Sequence, residues 1–242
     1  MQKAACLTDK GRLRTINEDS MLCLTAESIY MAADGVGGHN SGELASSLAE
    51  EYIKDFIRLN PIKADTDDAS LKRYFQRCLN EANEYIYKRA SLIKENTGMA
   101  TTAVILHIRA DKAYVINIGD SRAYLSRDGQ LMQITEDHTY VNELLKKGTI
   151  TKEEAEIHPK RNMITRALGI EAVIEPDFYQ FNIYKGDRIL LCTDGLYNEV
   201  DAEDISRVAS ASVNPGVMAR ELIRLANENG GSDNVTVICV EI

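Results

Sequence analysis

Apolar and polar positions along the chain fall into blocks with two different periods. Residues 21–25 (MLCLT) and 28–34 (SIYMAAD) are apolar runs of strand length. After Asn40, a natural N-cap with Glu43 at the third helical position, two adjacent stripes run at helical spacing. One is Leu44, Leu48, Tyr52 and Phe56, the other Ala45, Ala49, Ile53 and Ile57, and together they predict an amphipathic helix. A second helix is predicted after Asp67-Asp68, with Leu71, Phe75, Leu79, Ala82, Ile86 and Ala90 on one face. The middle reads as a meander: residues 101–110, a turn at Asp111-Lys112, residues 112–119, then residues 121–135 folded at Asp128-Gly129. Residues 179–184 and 188–195 predict further strands. Asn214-Pro215 opens a last helix with N-cap and N1 proline, Gly230-Gly231 closes it, and residues 235–242 end the chain as a strand.

Helices that come in pairs, rather than alternating singly with strands, predict an α+β fold with sheet packed on sheet. No repeat, low-complexity tract or linker interrupts residues 1–242, which read as one domain. Residues 136–178 stand apart. Thr151-x-x-Glu154 is a capping box, and Val141, Leu144 and Leu145 have helical spacing. The stretch is too long for a passive loop, so an active-site flap is expected within 137–169.

Composition narrows the picture. With 44% hydrophobic residues, 15 Gly and 4 Pro, the chain is that of an ordinary globular protein. Cys6, Cys23, Cys78, Cys192 and Cys239 share no metal-ligand spacing, and four of them lie in apolar or amphipathic runs. They read as buried free thiols in a reducing compartment, the cytoplasm. The N-terminus has no apolar signal region, and no run reaches the ~20 apolar residues of a membrane span. A net charge of −9 argues against nucleic-acid binding as the main function. An acidic protein that handles phosphate must therefore import positive charge to its site.

Two places show how. In IYMAADGVGGH and RILLCTDGLY an apolar strand runs straight into Asp-Gly, so Asp34 and Asp194 emerge from the ends of buried strands. Asp120 follows VINIG at another strand end, Asp233 stands just ahead of VTVICV, and Glu18-Asp19 precedes the first strand. Clustered carboxylates repel one another, and divalent cations relieve that repulsion. Oxygen-only ligation without His or Cys fits Mg²⁺ or Mn²⁺ rather than zinc. Two ions about 3.5–4 Å apart could share a carboxylate and generate a hydroxide nucleophile for phosphoester hydrolysis.

An ordered set of motifs sharpens this reading. Arg14-x-x-Asn17-Glu18-Asp19, Ala33-Asp34-Gly35-Val36-Gly37-Gly38-His39, Gly98-Met99-Ala100-Thr101-Thr102 and Gly119-Asp120-Ser121-Arg122 come first. Thr135-x-Asp137-His138, Asn162 to Gly169, Thr193-Asp194-Gly195-Leu196 and Asp233-Asn234-Val235-Thr236 follow. In content and order they resemble the protein phosphatase 2C (PPM) family, its bacterial members in particular, over essentially the whole chain. The resemblance implies a central β-sandwich of two antiparallel sheets flanked by helix pairs, with a metal centre at one end. It implies a metal-dependent protein serine/threonine phosphatase that hydrolyses phosphoserine and phosphothreonine without a covalent intermediate. By motif match, Asp34 bridges two Mn²⁺ or Mg²⁺ ions, the Gly35 carbonyl binds one of them, and Asp194 and Asp233 complete the second. Asp120 with Asp194 would hold a third ion, Glu18 and Asp19 would act on metal-bound waters, and Arg14 would grip the phosphate. The implied partners are phosphorylated proteins, substrates of a Ser/Thr kinase, and the implied state is a monomer with no nucleic-acid or membrane partner.

One position departs from the family. Many eukaryotic members carry a histidine directly after the Asp-Gly, where this chain has Val36; His39, three residues on, is the remaining candidate proton donor. Two alternatives use the same site: a hydrolase of small phosphoesters, or a regulatory module, which lost ligands would betray. A cysteine-phosphatase reading of Cys6-x5-Arg12 lacks a preceding His and places Asp9 where the anion would sit.

Overall fold

The computed structural model describes residues 2–38 and 41–242. Two antiparallel sheets form the centre. One has five strands in the order β1 (Lys3–Asp9), β11 (Val235–Glu241), β10 (Arg188–Cys192), β7 (Arg122–Arg127) and β8 (Gln130–Gln133). The other runs β2 (Asp19–Leu24), β3 (Ile29–Val36), β5 (Ala103–Arg109), β6 (Lys112–Ile118) and β9 (Asp177–Asn182), and the short β4 (Ala100–Thr101) pairs with the end of β3.

Strand alternation sets the layers, because successive side chains point to opposite faces. Val104, Leu106 and Ile108 of β5 face the space between the sheets, where they meet Ile189, Leu191, Ile238 and Val240. Ala103 and Ile105 face outward onto α1 (Ser41–Leu59) and α2 (Asp68–Leu92), which bring Ile53, Phe56, Leu71, Phe75 and Leu79. The outer face of the five-stranded sheet is covered by the short α5 (Asp194–Tyr197), α6 (Ala202–Ala211) and α7 (Pro215–Asn229) through Leu196, Ile205, Val208, Met218 and Leu222. Each fully buried Leu or Phe contributes roughly 1.5–3 kcal/mol, so removing Phe75 to Ala would cost about 3–5 kcal/mol. The layering is the sandwich between helix pairs that the motifs implied. No helix among the described residues is long and apolar enough to cross a membrane.

Several details differ from the sequence reading. β1 was not anticipated: it is an edge strand, and its KAACLTD alternates too weakly to announce itself. The β5–β6 hairpin turns at Ala110-Asp111 rather than Asp111-Lys112, because Arg109 pairs with Lys112 and Ala110 takes φ 52°. Nor are all five cysteines free. Cys6 and Cys23 form a disulfide that joins β1 to β2, and only Cys78, Cys192 and Cys239 are buried free thiols. The bonded pair stands on edge strands of different sheets, a proximity that no sequence spacing encodes. It also removes the free thiol that the cysteine-phosphatase reading required.

Asn214 caps α7 as expected, its side chain accepting the Val217 N–H. Asn40, the expected cap of α1, lies outside the described residues. Residues 137–169 form α3 (Tyr140–Lys146) and α4 (Lys152–Glu156), the latter opened by the Thr151–Glu154 capping box. Bridges from Thr139 to Ile164 and from Thr101 to Leu168 tie this excursion to itself and to β4, which pairs with the end of β3.

Candidate metal centre

Strand ends deliver the acidic side chains to one end of the sandwich. Asp19 opens β2 and is directly opposite Asp34 in β3. Asp34 is fixed from both sides of its peptide: its N–H donates to Thr102 Oγ1 at 2.9 Å, and its carbonyl accepts from the Thr101 hydroxyl at 2.9 Å. Gly35 follows, where a side chain is impossible: a Cβ would lie 2.1 Å from the Gly42 carbonyl oxygen and 2.5 Å from that of Glu18. Asp194 begins α5 immediately after β10, and Asn198 donates to its Oδ2 at 3.0 Å. Asp233 stands before β11, and Asp120 follows β6, buried at 6% exposure.

The loop between β1 and β2 carries the remaining candidates. Asn234 pins it: its Oδ1 accepts the Glu18 N–H at 2.7 Å, and its Nδ2 donates to the carbonyls of Lys10 and Ile16, both at 2.9 Å. Arg14 reaches across to Asp233, Nη2 to Oδ2 at 2.7 Å, with Glu18 at 3.9 Å from its Nη1. Asp19 is held by two buried hydroxyls, Thr193 Oγ1 and Thr236 Oγ1 donating to Oδ2 at 2.8 and 2.7 Å. Neither threonine was singled out in the sequence as part of the site. The signal available was their place in the motifs Thr193-Asp194-Gly195-Leu196 and Asp233-Asn234-Val235-Thr236.

The electrostatics follow from crowding. Burial, and then the charges of Asp19, Asp194, Asp120 and Asp233, lift the Asp34 carboxyl well above its ordinary range. Burial also lifts Asp19 to about 7, against the pull of its two threonine donors. Asp120 rises to about 7 for the same first reason, helped by Asp194. Asp194 and Glu18 are raised by burial as well. Arg14 is the basic side chain paired with this cluster. Glu18 Oε1 and Asp194 Oδ1 are buried without any hydrogen-bond partner.

Among the described residues, no three acidic side chains close on one point at ligand distance. Asp233 is turned to Arg14, Asp19 to the threonines and Asp194 to Asn198. The donor set nonetheless fits a hard cation: oxygen only, with partnerless buried oxygens and repulsion that divalent charge relieves. His39, the candidate proton donor, lies outside the described residues, and Val36 is 43% exposed. His138 is buried, its Nδ1 accepting the Gly119 N–H at 3.1 Å, which secures the turn before Asp120.

Comparison with known proteins agrees with this geometry. The family model for Protein phosphatase 2C matches residues 12–227. The serine/threonine phosphatase stp of Listeria innocua is 35% identical over 237 residues, spanning 97% of this chain and 93% of that protein. The crystal structure of the Mycobacterium tuberculosis serine/threonine phosphatase PstP/Ppp superposes with a TM-score of 0.89 at 36% identity, covering 100% of this chain and 98% of the other. A structure of the PstP catalytic domain in complex with two manganese ions superposes with a TM-score of 0.85 at 34% identity, covering 99% and 97% of the two chains.

Proposed function

This chain belongs to the protein phosphatase 2C family, and from that membership we propose how its own residues hydrolyse phosphorylated serine and threonine. It is a metal-dependent protein serine/threonine phosphatase. Its substrates are phosphoproteins.

The residue assignment rests on the crowding of carboxylates at the strand ends and on the partnerless buried oxygens Glu18 Oε1 and Asp194 Oδ1 among them. Asp34, the Gly35 carbonyl, Asp194 and Asp233 would hold a pair of Mn²⁺ or Mg²⁺ ions, and Asp120 with Asp194 a third. When bound, such ions supply Lewis acidity toward the phosphoryl oxygens and an activated water. Glu18 and Asp19 would orient water at the site and accept its proton; burial holds both carboxyls above their ordinary values. Arg14, 46% exposed in its side chain, sits at the rim where its guanidinium can grip a phosphate with paired N–H donors. Its present partner, Asp233, is also a proposed ligand. With a cation held there, Asp233 would no longer need Arg14 as its counter-charge, and the guanidinium would be left to meet a phosphate.

The fold reading extends to one domain over residues 1–242, with a flap within residues 137–169. The partner proteins are substrates of a Ser/Thr kinase, the chain acts as a monomer, and nucleic acid and membrane are not partners. Its location is read as the cytoplasm from the composition and the three buried free thiols, while the Cys6–Cys23 disulfide is a feature of oxidising compartments and counts against that reading. The test is hydrolysis of a phosphothreonine peptide by the purified chain. Turnover should require Mn²⁺ or Mg²⁺, stop with EDTA, and exceed that on a small phosphometabolite. Full activity in chelator would sink the reading.

A further inference from the structure

Asp19 is tied into a directed chain of hydrogen bonds that crosses between the sheets. A carboxylate only accepts, so Thr193 and Thr236 both donate their hydroxyl protons to Oδ2, at 2.8 and 2.7 Å. Having given its proton to Asp19, Thr236 must accept from Thr8, whose Oγ1 lies 2.7 Å away on the paired position of β1. Thr8 in turn accepts from Asn17 Nδ2 at 2.9 Å, and Asn17 Oδ1 accepts the Asp19 N–H at 3.2 Å. Thr193 is locked by a second bond, its Oγ1 accepting the Thr236 N–H at 2.9 Å. Thr193 and Thr236 are each 0% exposed.

All these bonds converge on one oxygen. Among the described residues no hydrogen bond reaches Oδ1 of Asp19. The charges of Asp194 and Asp233 act on the same carboxyl. The two sides of Asp19 thus have different neighbours, one a hydroxyl ladder whose inner members Thr193 and Thr236 are fully buried, the other the acidic centre.

We propose that Thr193 and Thr236 are positioning residues for the phosphatase reaction, holding Asp19 so that Oδ2 is occupied within the protein and Oδ1 faces the reacting water. Thr8 and Asn17 extend the ladder, so the loop that carries Arg14 and Glu18 is registered against the same carboxylate. This rests on the proposed role of Asp19, and the experiment separates the two. Threonine that merely packs would affect stability alone, whereas a positioning residue affects turnover through Asp19.

The test uses the full chain, phosphothreonine peptide and saturating Mn²⁺. Asp19→Asn comes first: a variant with wild-type kcat removes the role of Asp19 itself, whatever the threonines do. Thr236→Val, nearly isosteric, should then lower kcat about tenfold to a hundredfold, the worth of a hydrogen bond to a charged group. KM and the calorimetric Mn²⁺ affinity should stay within about threefold. Thr236→Ser, which restores the hydroxyl, should recover most of the loss. Combining Thr236→Val with Asp19→Asn should add no further loss to that of Asp19→Asn alone. Wild-type kcat in Thr236→Val, additive losses in the double variant, or a deficit confined to Mn²⁺ affinity would each overturn the proposal. Should Thr236→Val fail to fold, Thr8→Val breaks the ladder at an exposed position. A few-fold fall in kcat supports the ladder there, and an unchanged kcat rejects it.

Discussion

β10 has an aspartate just beyond each of its ends, and the two live in opposite electrostatic worlds. Asp187, 2% exposed, precedes the strand and is met by Arg127, whose Nε and Nη2 donate to its two carboxylate oxygens at 2.8 and 2.7 Å. The Tyr184 N–H adds a third bond at 2.8 Å. Burial alone would raise this carboxyl, but the Arg127 bonds outweigh it and the net shift is downward. Asp194, one strand-length away, has an amide donor from Asn198 and a buried Oδ1 with no partner, and its shift is upward. The chain can neutralise a buried acid at a strand end, and does so at Asp187. At the other end the compensating charge is left to come from outside. That difference separates a structural aspartate from a functional one, although both are acids beside the same apolar strand.

Substituting at the uncompensated end should give the largest effect. Asp34→Asn should lower kcat by roughly a hundredfold or more at saturating Mn²⁺. In chelator the same variant should melt no lower than wild type, because it removes one member of a repelling cluster. A variant that turned over normally, or that unfolded in chelator, would break the comparison at its root.

The second effect is in pH. Asp19 and Asp120 are pushed up to about 7, so the folded state holds their protons where the unfolded chain has released them. A raised carboxyl contributes most below the unfolded value, near 4, and that contribution is lost as pH climbs toward 7. The Tm in EDTA should therefore fall by roughly 5–10 °C between pH 5 and pH 7.5. Saturating Mn²⁺ should raise Tm more at pH 7.5 than at pH 5. Asp187, shifted downward, contributes fully across this window and loses its contribution only in stronger acid. A Tm in chelator that rises over the same interval would reverse the assignment.

Much of this was legible in the residues. Strand-terminal Asp34 and Asp194 announced themselves, because an apolar run ending in Asp-Gly leaves a carboxylate where a solvated turn would place polar flanks. The helices α1 and α2 were legible through their spaced apolar stripes, and α7 through Asn214-Pro215 at its start and Gly230-Gly231 at its end. What stayed hidden depended on partners distant in sequence. Thr193 and Thr236 stood in motifs beside the acids, but neither had a readable role until the fold brings both to Asp19, which Thr236 follows by 217 positions. Asp187 drew no notice, since nothing local points to Arg127 on another strand. Cys6 and Cys23 meet because two edge strands do. α6 was not named because AEDISRVASA buries only Ile205, Val208 and Ala209, too short a stripe to stand out.

Arg14 tests the rim between the two worlds. It is the cation that Asp233 has in this structure, and the group proposed to meet phosphate. A charge-assisted pair to substrate is worth roughly 1.5–3 kcal/mol, so Arg14→Ala should cost about tenfold to a hundredfold in kcat/KM. Because its exposed pairing with Asp233 is screened, Tm should change by less than about 1 kcal/mol would produce. An unchanged kcat/KM on phosphopeptide rules out phosphate binding by this residue.

The smallest catalytic effect belongs to the compensated end, and it completes the contrast. Asp187→Asn keeps the shape and the Tyr184 contact within reach but withdraws the charge that faces Arg127. Arg127 is bonded as well to the Asn182 carbonyl at 2.8 Å and lies over the Tyr184 ring, so it stays in place rather than swinging into solvent. The loss should therefore be that of a charged hydrogen-bonded pair at a half-open site, about 1–3 kcal/mol of stability. For a chain of this length that lowers Tm by about 2–12 °C. Turnover at saturating Mn²⁺ should remain within about twofold of wild type, since Asp187 sits at the end of β10 remote from Asp194. Thermal melts and kcat measured on the same preparation decide it. If Asp187→Asn slows catalysis as strongly as Asp34→Asn, the two ends of β10 are coupled, and the division between a structural and a functional aspartate does not hold.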